Sequence, residues 1–324
     1  MREYAVVILL VMAVLGSGCV EAGGREVKTY KVGILQMTEV LDITVAGFKD
    51  GMRDLGYVEG ESIVYIYRNA NSDVKKLRGH AREIVGEGVD LIFSLTTPAT
   101  MAAVEASRDA GVPIVFTPVM EPVRSGLVNS LESPGGRITG VSPMVLASKQ
   151  LEILLEVKPG IRTLGLISSF DHAVVIEQLR EAAEKNNIIL LEYKVRKVED
   201  VPKAAEVIGS RVDAIYVPPD NIVTKDMDSV IAVAKREKIP LMVPLEGGVR
   251  RGALLTYSAD YYELGVTASR MADKILRGTS PGDIPVEFPL RPRLIINLGT
   301  AKEIGLDISP ELLYRAAEVV GEVG

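Results

Sequence analysis

Residues 90–142 read DLIFSLTTPATMAAVEASRDAGVPIVFTPVMEPVRSGLVNSLESPGGRITGVS. Leu91 to Leu95 is a short apolar run bounded by turn residues, which predicts a buried strand. A polar turn, Thr96-Thr97-Pro98, leads into an Ala-rich helix. A second buried strand, Ile114 to Thr117, breaks into the Pro-rich loop Pro118-Val119-Met120-Glu121-Pro122. Two parallel strands ending in small polar residues bring those ends together at one edge of a sheet, where open α/β folds bind ligands. Thr97 before Pro98 suits N-cap and N1 of the following helix, so free N–H groups and a positive dipole end should face the crevice. Such a place attracts a carboxylate or another anion.

The 324 residues suffice for two domains, and 47% hydrophobic with 25% charged residues describes a globular chain. A net charge of -6 argues against a nucleic-acid partner, whose phosphates call for a basic face. Aromatic content is low and Trp is absent, so no carbohydrate site is built on stacked indoles. Cys19 is the only cysteine, which excludes an intrachain disulfide and a cysteine-based metal cluster.

Cys19 follows the apolar run Ala5 to Leu15 and the small residues Gly16-Ser17-Gly18. That run suits a secretory leader better than a membrane span. Small residues ending in a lone Cys resemble a lipobox, in which the thiol is acylated and the preceding peptide removed. Leu15 sits one place further from Cys19 than the usual pattern, and Arg2 and Glu3 make a weakly basic start; a plain leader with an incidental Cys is the other reading. Residues 1–19 are then a leader with its lipobox, and residues 20–29 a tether to the membrane.

From Tyr30 onward strands alternate with amphipathic helices. Val45, Phe48, Met52 and Leu55 recur at helical spacing before Gly56; Leu77, Ile84 and Val85 point inward from a helix over 74–88. The chain then repeats its plan. Val89-Asp90-Leu91-Ile92-Phe93 echoes Val212-Asp213-Ala214-Ile215-Tyr216, and Val112-Pro113-Ile114-Val115 echoes Ile239-Pro240-Leu241-Met242. The natural inference is an α/β protein of two lobes, each a mainly parallel sheet flanked by helices.

Several pieces of this sequence resemble the substrate-binding proteins of ABC transporters with the type I periplasmic-binding fold, in a subgroup that includes members binding aromatic amino acids such as tryptophan or phenylalanine. They include Gly56-Tyr57-Val58-Glu59-Gly60, Pro113-Ile114-Val115-Phe116, Ser133-Pro134-Gly135-Gly136, Thr139-Gly140-Val141-Ser142 and Lys149-Gln150-Leu151-Glu152. Val212 to Pro218 with Asp220-Asn221, and Asp260-Tyr261-Tyr262-Glu263-Leu264-Gly265, complete the set. The resemblance implies two lobes joined by three crossings and closing on a ligand. The lobes are expected at 30–141 plus 257–282, and at 142–256 plus 283–324.

An amino-acid ligand needs donors for its carboxylate, an acceptor for its ammonium and a pocket for its side chain. Thr96, Thr97, the backbone N–H of Ala99 and the Thr117 hydroxyl are candidates for the first task, although Thr97 could simply cap its helix. Asp220 is the candidate for the ammonium, with Asn221 beside it; an Asx turn or helix cap is the structural alternative. Glu246 occupies the equivalent place one strand over. Relatives usually carry Asp where this chain has Glu121, so its longer side chain alters the geometry. Phe170 and Met120 are candidates for the side-chain pocket, or lobe packing.

His80 and His172 lack ligand-like spacing; His80 is expected in solvent and His172 near the crevice, and no metal or other cofactor is expected. There is no GxxxxGK[ST] loop, GxSxG elbow or HExxH helix, so an enzyme is disfavoured. The expectation is an extracytoplasmic, lipid-anchored monomer that captures an amino acid, aromatic by family, and presents it to an ABC permease. A sensing module and an extracytoplasmic enzyme are the alternatives. A branched aliphatic amino acid or a short peptide remain open as ligands.

Overall fold

A computed structural model describes residues 28–144, 146–169, 174–289 and 292–321. The first lobe runs through β1 (Tyr30–Gln36), α1 (Asp42–Asp54), β2 (Ile63–Asn69), α2 (Val74–Gly86), β3 (Leu91–Leu95), α3 (Thr97–Ser107), β4 (Ile114–Phe116) and β5 (Ile138–Gly140). Its strands form one parallel sheet in the order β2-β1-β3-β4-β5.

The second lobe opens with α4 (Ala147–Val157), β6 (Thr163–Ser168), α5 (Val174–Lys185), β7 (Ile189–Lys194), α6 (Val201–Gly209) and β8 (Ala214–Tyr216). It continues with α7 (Met227–Arg236), β9 (Leu241–Met242), α8 (Glu246–Arg250) and β10 (Leu255–Ser258). These strands stand in the order β7-β6-β8-β9-β10, all parallel, which is the first lobe's order again. After α9 (Tyr261–Leu276), β11 (Arg293–Asn297) joins antiparallel to β10. Then α10 (Leu298–Ile304), α11 (Pro310–Arg315) and β12 (Glu318–Val320), parallel to β11, complete a seven-stranded sheet.

The strands are continuous apolar runs because both faces of each sheet are covered. Along β3, Leu91, Phe93 and Leu95 belong to the core under α1 and α9, while Ile92 belongs to the core under α2 and α3. The second lobe divides in the same way: Leu164 and Leu166 of β6 pack on one side, and Ile167 on the other. That alternation follows from the two-residue period of a strand.

Helix α9 returns to the first lobe and lies directly on α1. A Cβ on Gly47 would collide with the carbonyl of Tyr262, and one on Gly265 with that of Thr44, so both positions require a bare backbone. The crossings fall where these packings change. Val141 is buried in the first lobe and Ala147 in the second. Tyr257 and Ser258 pair with Leu294 and Arg293 of β11, whereas Ala259 is buried in the first lobe's core. The third lies beyond 283: Ile284 and Val286 are buried in the first lobe, and the Ser142 N–H donates to the Glu287 carbonyl.

Candidate functional site

Each sheet reverses its strand order between its first and third strands, at β1/β3 and at β6/β8. Such a switch point opens a crevice at the carboxyl ends of the strands, because the two connections leave in opposite directions. The chain leaving β1 supplies Met37, Val40 and Leu41, and that leaving β3 supplies Thr96, Thr97 and Pro98. From the other lobe, Ser169 follows β6, and Pro219, Asp220 and Asn221 follow β8. These residues line one cavity of about 490 Å³, with Met120, Glu121, Pro244, Leu245 and Tyr261 among the rest of the wall. Its volume falls within the range of about 300–1,000 Å³ usual for small-molecule sites.

Thr96, not Thr97, occupies the N-cap of α3, which corrects the expected cap. Thr97 is already helical and Pro98 lies in the first turn. Thr96 takes φ 83° and ψ 156°, a region costly for any residue with a Cβ. Its carbonyl accepts the Thr100 N–H at 3.0 Å, while its buried hydroxyl has no partner among the described residues. Ala99 and Thr117 do not reach the cavity wall; both are fully buried, and the Thr117 hydroxyl also lacks a partner among the described residues. Thr117 is held back because its N–H donates to the Ser94 carbonyl at 3.0 Å, continuing the β3–β4 pairing one residue further. The Ala99 N–H nevertheless belongs to the first turn, whose donors have no intrahelical acceptor.

Asp220 is 5% exposed. One carboxylate oxygen accepts the Ser169 N–H at 2.6 Å, and the other accepts those of Ile222 and Val223 at 2.8 and 3.0 Å. The side chain therefore makes the Asx-type turn anticipated as its structural role. A carboxylate offers about four acceptor sites, so these three bonds leave about one for an incoming donor.

Glu121 reaches across the cleft. Its Oε1 accepts the Val174 N–H at the start of α5 at 3.3 Å and the Arg124 guanidinium at 3.2 Å. Arg124 in turn meets Glu177 of α5 at 3.4 Å. At the loop after β2, the Lys225 ammonium donates to the Asn71 carbonyl at 3.2 Å and the Ser72 hydroxyl at 3.3 Å. The lobes are thus bonded to each other on both flanks of the β1/β3 crevice.

Glu246 does not join Asp220, contrary to expectation. It begins α8 and pairs with Arg293 at 3.4 Å, which places it on a neighbouring cavity of about 440 Å³. Phe170, His172 and Cys19, with the tether to residue 27, lie outside the described residues. His80 is half-buried, 3.3 Å from Glu83, rather than free in solvent.

The sequence reading missed Met37, Val40, Leu41, Leu245 and Tyr261. Met37 directly follows β1, so the switch-point argument applied to Thr96 would have found it. Tyr261 lay inside the quoted Asp260-to-Gly265 motif; burial pushes its hydroxyl up to about 12. Among the described residues no helix is long and apolar enough to cross a membrane, and no group of three or more His, Cys, Asp or Glu could hold a metal ion.

Residues 31–320 match the family described as ABC transporter substrate binding protein. A tyrosine-binding protein of Clostridioides difficile is 33% identical over 324 residues, covering 94% of this chain and 93% of the relative. A domain from Streptococcus pneumoniae crystallised with L-Trp superposes with a TM-score of 0.85 at 28% identity, over 90% of this chain and 100% of that one. A substrate-binding protein with adhesive properties from Clostridium difficile, in its ligand-free open structure, gives 0.69 at 31% identity, over 91% and 100%. The fold, the paired crevices and this likeness agree, and the chain belongs to the ABC transporter substrate-binding protein family.

Proposed function

We propose that this protein captures an aromatic amino acid in the cavity between its lobes and presents the closed form to an ABC permease. The observation that carries the reading is the cavity's composition. Met37, Leu41, Met120, Leu245 and Tyr261, with five prolines, give an apolar wall for a ring. Thr96, Thr97 and Asp220 supply the polar groups for the charged end. The carboxylate would take the Thr96 hydroxyl and the free N–H groups at the start of α3, and the ammonium the remaining acceptor site on Asp220. The tyrosine-binding relative and the tryptophan complex support an aromatic ligand.

Closure is supported by two observations. The chain superposes better on the tryptophan complex than on the open ligand-free structure, although it is slightly more identical to the latter. Contacts from Glu121, Arg124 and Lys225 also bridge the cleft. A ligand touching both lobes favours the closed state by its differential affinity for it. The leader and Cys19 fit export with a lipid anchor, a monomer tethered outside the membrane. A thermal-shift screen tests the reading: Trp, Tyr or Phe should raise the midpoint by mass action, whereas sugars and nucleosides should not. A rise with another ligand class alone would refute the aromatic assignment.

A further inference from the structure

The second cavity, of about 440 Å³, adjoins the first and shares Val40, Thr224, Pro244, Leu245 and Tyr261 with it. The two differ in charge. Among the described residues, the charged side chains lining the first cavity are Glu121 and Asp220, both acidic. The second is lined by Lys225, Arg251 and Arg293 as well as Glu39, Glu246 and Asp260, so its charges balance. Among the described residues, all the cationic side chains on the two walls therefore belong to the second cavity.

These cations retain donor capacity. Lys225 bonds two neutral acceptors. Arg293 is shared among Glu246, Asp260 and Glu318 at 3.4, 3.2 and 3.3 Å, longer than the ~2.7–2.9 Å of a tight charge-assisted bond. Among the described residues Arg251 meets Asp228 at 3.1 Å and the Gly247 carbonyl at 3.4 Å, two of the five N–H donors a guanidinium carries.

We infer that the second cavity is a subsite for the carboxylate end of a longer ligand, a short peptide whose amino-terminal aromatic residue fills the first cavity. The inference rests on the aromatic reading above. A free amino acid carries its ammonium and carboxylate on one carbon and brings both into the acidic cavity. In a peptide a neutral amide takes the place of that carboxylate, and the terminal carboxylate moves one residue onward, toward the cations. Charge complementarity would then align the ligand along the cleft.

Isothermal titration of the purified chain with L-tyrosine, L-tyrosyl-glycine and L-tyrosyl-glycinamide tests this. The dipeptide should bind at least tenfold more tightly than its amide, which lacks the terminal charge. Arg251→Gln should weaken the dipeptide threefold or more while leaving the amide within twofold. Equal affinities for acid and amide in the wild-type chain would overturn the subsite, as would equal losses for both in the variant. Tyrosine binding without dipeptide binding overturns the subsite alone; failure of tyrosine and both dipeptides overturns the aromatic reading with it.

Discussion

The carboxylate of Asp220 accepts the backbone N–H of Ser169 at 2.6 Å, tying together the strand ends on either side of the second lobe's switch point. The same side chain closes the turn after β8 through Ile222 and Val223. One residue thus shapes the crevice and offers its negative charge to it.

Asp220→Ala should consequently harm both stability and binding. Stranding the Ser169, Ile222 and Val223 N–H groups, the last fully buried and the others partly, costs on the order of 3 kcal/mol, which corresponds to roughly 5 °C in the melting midpoint for a chain of this size. Binding of a ligand whose ammonium pairs with Asp220 should weaken by about 2–5 kcal/mol. Thermal melts without ligand and titration with tyrosine separate the effects. An unchanged midpoint would deny the turn-closing role, and unchanged affinity the ammonium role.

Thr96 and Thr117 both carry buried hydroxyls without partners among the described residues, but Thr96 alone lines the cavity. Thr96→Val should weaken ligand binding by about 1.5–3 kcal/mol, the value of a hydrogen bond to a charged group. Thr117→Val should leave binding within twofold and stability unchanged or slightly raised. Equal losses of affinity in the two variants would mean that closure rearranges β4 toward the ligand.

Lys225 joins the lobes through the loop at Asn71 and Ser72, both in left-handed backbone conformations at φ 49° and 68°. Lys225→Met should shift the ligand-free chain toward the open form. Small-angle scattering should then show a larger radius of gyration without ligand and a wild-type value at saturation. A ligand-free radius equal to that of wild type would remove Lys225 from the closure.

Alkaline pH should destabilise the fold through its tyrosines. Burial is the main cause that pushes Tyr57 and Tyr261 up to about 12, with the hydrogen bond to Asp273 adding to the first. The unfolded chain ionises these groups near pH 10. Their contribution is complete below pH 10 and is lost as pH rises toward 12, because the unfolded state gives up its protons first. Melts between pH 9 and 11.5 should show the midpoint falling only above about pH 10. A midpoint flat across that range would contradict the burial of these phenols.

Much of this architecture was legible in the sequence because it depends on local periodicity. Leu91–Leu95 was read with both ends correct, since an apolar run bounded by turn residues leaves no ambiguity. Helix α8 leaves no helical signature in the sequence because it spans only Glu246–Arg250 and contains Gly247 and Gly248, both poor helix formers. Short β12 carries only three residues, too few for a period.

Site residues were harder to read, because a cavity is a property of strand order rather than of any one segment. Turn chemistry at strand ends singled out Thr96 and Asp220, and both line the cavity. Val40, Leu245 and Tyr261 become neighbours only when two lobes meet, and no local pattern marks that. The position of Glu246 depends on Arg293, which lies 47 residues away.

The most direct test of the account is isothermal titration of the soluble chain, from Glu21 onward, with tyrosine, tryptophan and phenylalanine beside leucine, ribose and adenosine. One aromatic amino acid per chain, bound with a negative heat-capacity change as the cleft buries apolar surface, is the predicted result. Silence for all three aromatics alongside saturable binding of another class would contradict it.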